Sequence, residues 1–214
     1  MMIYRFIMGN IIAKQQNTLC NFHAKEEDNI MQALDLLTSR RSEKKLFEPA
    51  PSKDQLEKMF QAALHTPDHG KLQPYHFVVI EQDRLAYLAD LLKEAVNELN
   101  LGEERLKKAE SFATRAPMII GVVAKINKDI KKVPAWEQML TAGCATYALQ
   151  LAANAQGFAN VWVTGPWIDG SALRQAFGCE QHDKIVALVM IGTEEEKISR
   201  DPKVINTENI VRYL

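Results

Sequence analysis

Between Trp136 and Gln156 the chain carries a helix-length run that is apolar on nearly every side: Leu140, Ala142, Cys144, Ala145, Ala148, Leu149, Leu151 and Ala152. A surface helix needs only one apolar stripe, whereas a helix apolar all round has to be covered over most of its circumference. In a chain of 214 residues that leaves two places for it, the centre of the molecule or an interface between subunits. Gly157 supplies its C-terminal stop. Cys144, inside the run, is expected to be a small core residue.

The rest of the pattern interleaves helices and strands. Ser52 and Gln55 form a capping box ahead of a helix to Leu64 with Leu56, Met59, Phe60 and Ala63 on one face, and Pro67 ends it. Phe77 to Ile80 is a continuous apolar run and reads as a buried strand. Asp83 is expected to cap the next helix, striped by Leu85, Leu88, Leu92 and Val96. Residues 102–112 are helix-prone, Met118 to Val123 forms a second buried strand, and Lys125 to Pro134 is a polar, basic connection. After the long helix come a strand at Val161–Val163, a short helix from Ser171 to Phe177 stopped by Gly178, and a strand from Ile185 to Ile191. This order predicts an α+β fold or a three-layer α/β sandwich.

A net charge of −1 gives no electrostatic case for nucleic acid or an anionic membrane surface as partner. No segment has the apolar length of a membrane span. Cys20, Cys144 and Cys179 are far apart and form no CxxC pair, which fits a reducing, cytoplasmic compartment and argues against a disulfide framework or a zinc site. Residues 1–30 read as a poorly ordered extension rather than a secretory signal, because Gly9-Asn10 interrupts the apolar stretch and no small-residue cleavage site follows. Met31, where the regular pattern begins, is an alternative natural start. Residues 31–214 then form one domain.

No HExxH, GxSxG, P-loop or GxGxxG is present. His65, His69 and His76 cluster, but Pro67 breaks any helix that would align them, so no metal site is expected. Without a nucleophile, a metal or paired carboxylates, an enzyme built on this chain would take its reactivity from a cofactor. Arg40-Arg41-Ser42 follows a short amphipathic segment (Met31, Leu34, Leu37). Two guanidiniums beside a hydroxyl match phosphate oxygens in pairs. Taken alone, the triplet is weak evidence, and a solvated helix end is its ordinary reading.

Arg40-Arg41-Ser42, Pro67-Asp68-His69 with Gln73-Pro74-Tyr75, Arg115-Ala116-Pro117, Trp136-Glu137 and Ala155-Gln156-Gly157-Phe158 together resemble the nitroreductase family of flavoproteins. The likeness is strongest to its short branch of NAD(P)H nitroreductases and covers about Met31 to Leu214. The resemblance implies a three-layer α/β/α sandwich and an intertwined homodimer, with FMN at the subunit interface and each site drawing residues from both chains. It places Arg40, Arg41 and Ser42 at the FMN phosphate, ribityl chain and pyrimidine edge. His65, His69 and Gln73 fall at the flavin from a loop, and Trp162, Val163 and Thr164 line it from a strand end. Ala152, Ala153, Asn154, Ala155, Gln156 and Gly157 align with a dinucleotide-binding stretch; close helix packing is the default reading of so alanine-rich a run. Trp162 reads equally as core, and His69 as a turn residue bonded to its own backbone. The C-terminal Asn209–Leu214 is expected to add to the partner's sheet.

The implied activity is FMN-dependent oxidation of NAD(P)H, with hydride passed through the flavin to a nitroaromatic, quinone or similar small-molecule acceptor and no catalytic side chain. The alternative is an FMN-binding carrier or sensor without turnover. Departures from the family pattern fall in one loop. Asp68, His69 and Lys71 stand where broader members carry Pro-Ser-Ser and a following asparagine, and Tyr75 replaces a common tryptophan. The basic residue expected after the triplet is Lys44 or Lys45.

Overall fold

The computed structural model describes residues 33–196 and 206–214. The extension expected over residues 1–30 and the alternative start at Met31 lie outside them. The chain divides into two units, residues 41–199 and residues 1–40 with 200–214. In the smaller unit, α1 (residues 33–39) ends with the Arg40 N–H on the Leu36 carbonyl at 3.3 Å. Near the C-terminus the Thr207 carbonyl accepts the N–H groups of Ile210 and Val211, and Ile210, Tyr213 and Leu214 are exposed.

The larger unit holds α2 (Lys53–Leu64), β1 (Tyr75–Ile80), α3 (Leu85–Glu98), α4 (Glu103–Glu110), β2 (Met118–Ala124), α5 (Ala135–Ala155), β3 (Ala159–Val163), α6 (Ser171–Ala176) and β4 (Lys184–Gly192). The four strands form one antiparallel sheet in the order β1-β2-β4-β3. Side chains alternate across a strand, so each central strand feeds two cores. Ile119 and Val123 of β2, with Leu188 and Met190 of β4, pack under α3, α4 and α6. Met118, Ile120 and Val122, with Ala187, Val189 and Ile191, pack under α2 and α5. The result is a three-layer α/β/α sandwich. Gly121 is required where it stands, since a Cβ there would lie 2.2 Å from the Phe177 ring.

Most expected elements appear within a residue or two. The Ser52–Gln55 capping box forms in both directions, and Gly157 takes the left-handed φ of +85° that stops α5. Three expectations need correction. Asp83 does not cap a helix: it lies inside a 3₁₀ turn (Gln82–Arg84), and α3 begins from Arg84 with no side-chain cap. The Phe77–Ile80 run is not a fully buried strand, because β1 is a sheet edge and Val79 is exposed. Cys144 is exposed because α5 covers only one of its faces with the sheet. Among the described residues no helix is long and apolar enough to cross a membrane.

Candidate functional site

The long helix α5 sets the scale of the site. Its inner face (Ala142, Ala145, Leu149, Ala153) is fully buried, and the small side chains let it lie close to the sheet. Its outer face carries Trp136, Leu140, Cys144 and Tyr147 at successive helical turns, all exposed, with Trp136 at 62 % and Leu140 at 59 %. The expected all-round apolar helix is thus half covered within one chain.

At the N-terminal end of α5 lies the loop that joins α2 to β1. The Asp68 carboxylate accepts the Gln73 N–H at 2.7 Å, and its backbone carbonyl accepts the Lys71 N–H. Gly70, Lys71 and Gln73 all have φ in the left-handed region, where a non-glycine residue is held only if its surroundings over-determine it. Asp68, one of the departures in this loop, is its clasp. His65 caps α2, and its Nδ1–H donates to the Gln61 carbonyl at 2.7 Å. His69 Nδ1 meets the Glu137 carboxylate at 2.6 Å across the gap to α5, so it does not bond its own turn. Tyr75 is buried, and its hydroxyl donates to the Ala63 carbonyl at 3.2 Å. Burial pushes its phenol above the ordinary value, partly offset by Thr66. The tryptophan-to-tyrosine departure therefore falls in the core and not on an open wall.

At the opposite end, Arg41 and Ser42 run beside the start of β3. Glu43 N–H bonds the Asn160 carbonyl at 3.0 Å. Asn160 is itself locked by a buried reciprocal pair: Gln150 Nε2 donates to Asn160 Oδ1 at 2.7 Å, and Asn160 Nδ2 to the Gln150 carbonyl at 3.1 Å. Burying an amide is tolerable only when it finds partners, and the Asn160 amide is met on both sides, by the Gln150 side chain and by the Gln150 backbone carbonyl. The platform beside Arg41 and Ser42 is therefore rigid. Neither amide was singled out by the sequence pattern, although a glutamine in an otherwise apolar helix was the available signal. Arg40 belongs to the smaller unit, directly after α1.

Residues 152–157 close the same end of α5. Ala153 is fully buried against the sheet, Asn154 Nδ2 donates to the Phe158 carbonyl, and Gln156 Nε2 to the Gln55 and Ala152 carbonyls. Asn154 Oδ1 is buried with no hydrogen-bond partner among the described residues. At the edge strand β3, Trp162 is 36 % exposed, and its indole N–H donates to the Val186 carbonyl at 3.1 Å. Val186 is the extra residue of a bulge in β4, which shifts the register opposite Val122 and Val123. Val163 is partly buried and Thr164 exposed.

The structure thus gathers most of the expected residues into two groups, with Trp162, Val163 and Thr164 at the end of β3 and Arg40 in the smaller unit outside both. His65, His69 and Gln73 lie around the start of α5, and Arg41, Ser42 and residues 152–157 around its end. Fifteen residues separate Glu137 from Ala152, roughly 22 Å of helix at 1.5 Å per residue. A separate open depression of about 420 Å³, lined by Lys125, Asn127, Lys128, Glu180, His182 and Asp183 among others, shares no residue with either group. Its buried Asp183 is fully engaged by Lys125 and by the N–H groups of Ile126 and Glu180. Burial opposes the Asp183 charge, but these partners outweigh it and hold the carboxyl below its ordinary value. Burial likewise opposes the Lys125 charge, and Asp183 with Glu180 outweighs it to hold the ammonium above its ordinary value.

Residues 37–193 match the model of a family described as "Nitroreductase family". A Haemophilus influenzae relative named "Putative NAD(P)H nitroreductase" is 62 % identical over 184 residues, 86 % of this chain and 100 % of that protein. An Escherichia coli (strain K12) relative of the same name, YdjA, is 40 % identical over 183 residues, again 86 % of this chain and 100 % of its own. Among solved structures, a nitroreductase-like family protein from Bacillus cereus superposes with a TM-score of 0.70 at 20 % identity, covering 84 % of this chain and 95 % of its own. An FMN-dependent nitroreductase from Clostridium difficile R20291 gives 0.61 at 22 % identity, covering 84 % and 98 %. The structural likenesses establish the fold.

Proposed function

This chain belongs to the nitroreductase family, and from that premise we propose that it is an FMN-dependent NAD(P)H oxidoreductase that works as a homodimer in the cytoplasm, with residues 31–214 as its flavin-binding domain. The relatives' names and the FMN-dependent structural neighbour support the chemistry. The observation that carries the rest is the placement of the candidate residues at the two ends of α5 with an uncovered apolar stripe between them. One protomer cannot close both groups around one small ligand. A two-fold partner that covers Trp136, Leu140, Cys144 and Tyr147 with its own α5, run antiparallel, brings the start of one helix to the end of the other. Burying such a stripe is also the ordinary driving force for assembly. The exposed Ile210, Tyr213 and Leu214 of the C-terminal segment fit strand addition to the partner's open sheet edge.

In this arrangement the Arg41 guanidinium and the Ser42 hydroxyl, set on the Gln150–Asn160 platform, hold the phosphate and ribityl chain, and the resemblance assigns Arg40 to the same task. His65, His69 and Gln73 reach the flavin from the other subunit. Trp162, Val163 and Thr164 form its wall, and the resemblance assigns residues 152–157 to the nicotinamide nucleotide. When bound, FMN supplies a two-electron carrier that takes hydride from the reduced nicotinamide and passes it to a nitroaromatic, quinone or similar acceptor. The chain's own residues bind, orient and exclude water, and none acts as a nucleophile. The purified protein should be yellow, and anaerobic NADH or NADPH should bleach it. A yellow protein that neither nucleotide bleaches would be a flavin carrier or sensor, and a colourless one that takes up no FMN would end the proposal.

A further inference from the structure

Glu137 stands at the third position of α5, where a glutamate ordinarily reaches back to the backbone N–H of the capping residue. Here the capping residue is Pro134, which has no N–H to give. The carboxylate is thereby released from the usual capping role while keeping the favourable position of a negative side chain in a first helical turn. It turns instead to His69, 68 residues away in sequence, with Oε2 2.6 Å from Nδ1. The histidine side is equally constrained: the Asp68 clasp and three left-handed residues fix the loop, and a Cβ on Gly70 would already press Val133 at 3.2 Å.

The pair is half open to solvent, with His69 at 50 % and Glu137 at 26 % exposed. A polar contact so exposed adds little to stability, so fold maintenance does not account for this construction. What the contact does control is the ring. A carboxylate accepts, so Nδ1 carries the proton and Nε2 is the nitrogen left for another partner.

We propose that Glu137 is a positioning residue: it fixes the tautomer and orientation of His69 so that Nε2, and not Nδ1, is presented to the flavin of the partner subunit. This rests on the reading of the site given above. The pairing itself is a property of this chain and can be read without turnover.

Two measurements on the FMN-loaded protein test it. The first is a histidine ¹⁵N–¹H correlation spectrum at about pH 8, in which wild type shows His69 with the proton on Nδ1. Glu137→Ala should move the signal toward the Nε2–H form, and Glu137→Gln, whose amide oxygen still accepts, should restore it. The second is FMN affinity by fluorescence titration. His69→Ala and Glu137→Ala should each weaken binding roughly three- to tenfold, the range of one partly exposed hydrogen bond to a charged group. The double variant should be no weaker than His69→Ala alone, and Glu137→Gln should stay near wild type. An unchanged His69 signal in Glu137→Ala, or fully additive losses, would overturn the proposal. Failure of the wild type to take up FMN would overturn the flavin reading and the ligand half of this one, leaving the spectrum to decide the pairing alone.

Discussion

The two faces of α5 are built from similar apolar composition and do different work. The inner face uses alanines and Leu149, all fully buried, to bring the helix down onto the sheet. The outer face uses Trp136, Leu140 and Tyr147, large side chains left exposed in one protomer. Small residues are used where the chain packs against itself, and the large ones lie where the proposed dimer would place a second surface. Damage to the inner face should therefore appear as lost folding, and damage to the outer face as lost assembly and lost flavin.

The sharpest way to break that contrast is Leu140→Glu. A hot-spot substitution costs about 2 kcal/mol, and a two-fold interface feels it twice, so dissociation should rise on the order of a thousandfold. Light scattering should then show a monomer with near-normal thermal stability. An unchanged dimer would remove α5 from the interface. Leu149→Ala, on the inner face, should instead cost about 3 kcal/mol of folding free energy in urea denaturation and leave the subunit stoichiometry of the folded fraction unchanged.

The Asp183–Lys125 pair offers a third test, because it too joins a carboxylate to a basic side chain far off in sequence, but its carboxylate is buried and multiply bonded. Asp183→Asn should cost about 2 kcal/mol near neutral pH. Since the folded-state carboxyl is held below its ordinary value, its contribution is present above about pH 4 and fades as pH falls further. The difference from wild type should shrink correspondingly in acid. Lys125 is held above its ordinary value, so its share persists below about pH 10 and fades only at higher pH. The smallest effect belongs to Glu137→Gln, which should change folding stability by less than about 0.5 kcal/mol. A larger loss would make that pair a second structural clasp like Asp183.

Much of the fold was legible because periodicity and punctuation agree locally: the Ser52–Gln55 box, the Gly157 stop and the Leu85–Val96 stripe each form as read. The misreadings share one cause. Apolarity marks a residue for burial without saying by what, so the pattern points Cys144 and Val79 inward, whereas the outer face of α5 and the outer strand β1 leave them exposed. At the candidate site, residue types and order point to the candidate groups, while their supports stay hidden. The Gln150–Asn160 lock and the His69–Glu137 bond join residues that only the folded chain brings together. Asp68 was visible only as a departure, and its clasping role needed the loop's backbone.

Subunit complementation decides whether each flavin site draws on both chains. Arg41→Ala and His69→Ala are each expected to weaken FMN binding as homodimers. In a mixed dimer of the two, a site drawn from both chains would regain one unimpaired set of residues and one doubly impaired set. Tagged, purified heterodimers should recover one tightly bound FMN per dimer. Heterodimers that bind FMN no better than either parent would contradict a shared site, because that is the outcome when each chain completes its own site.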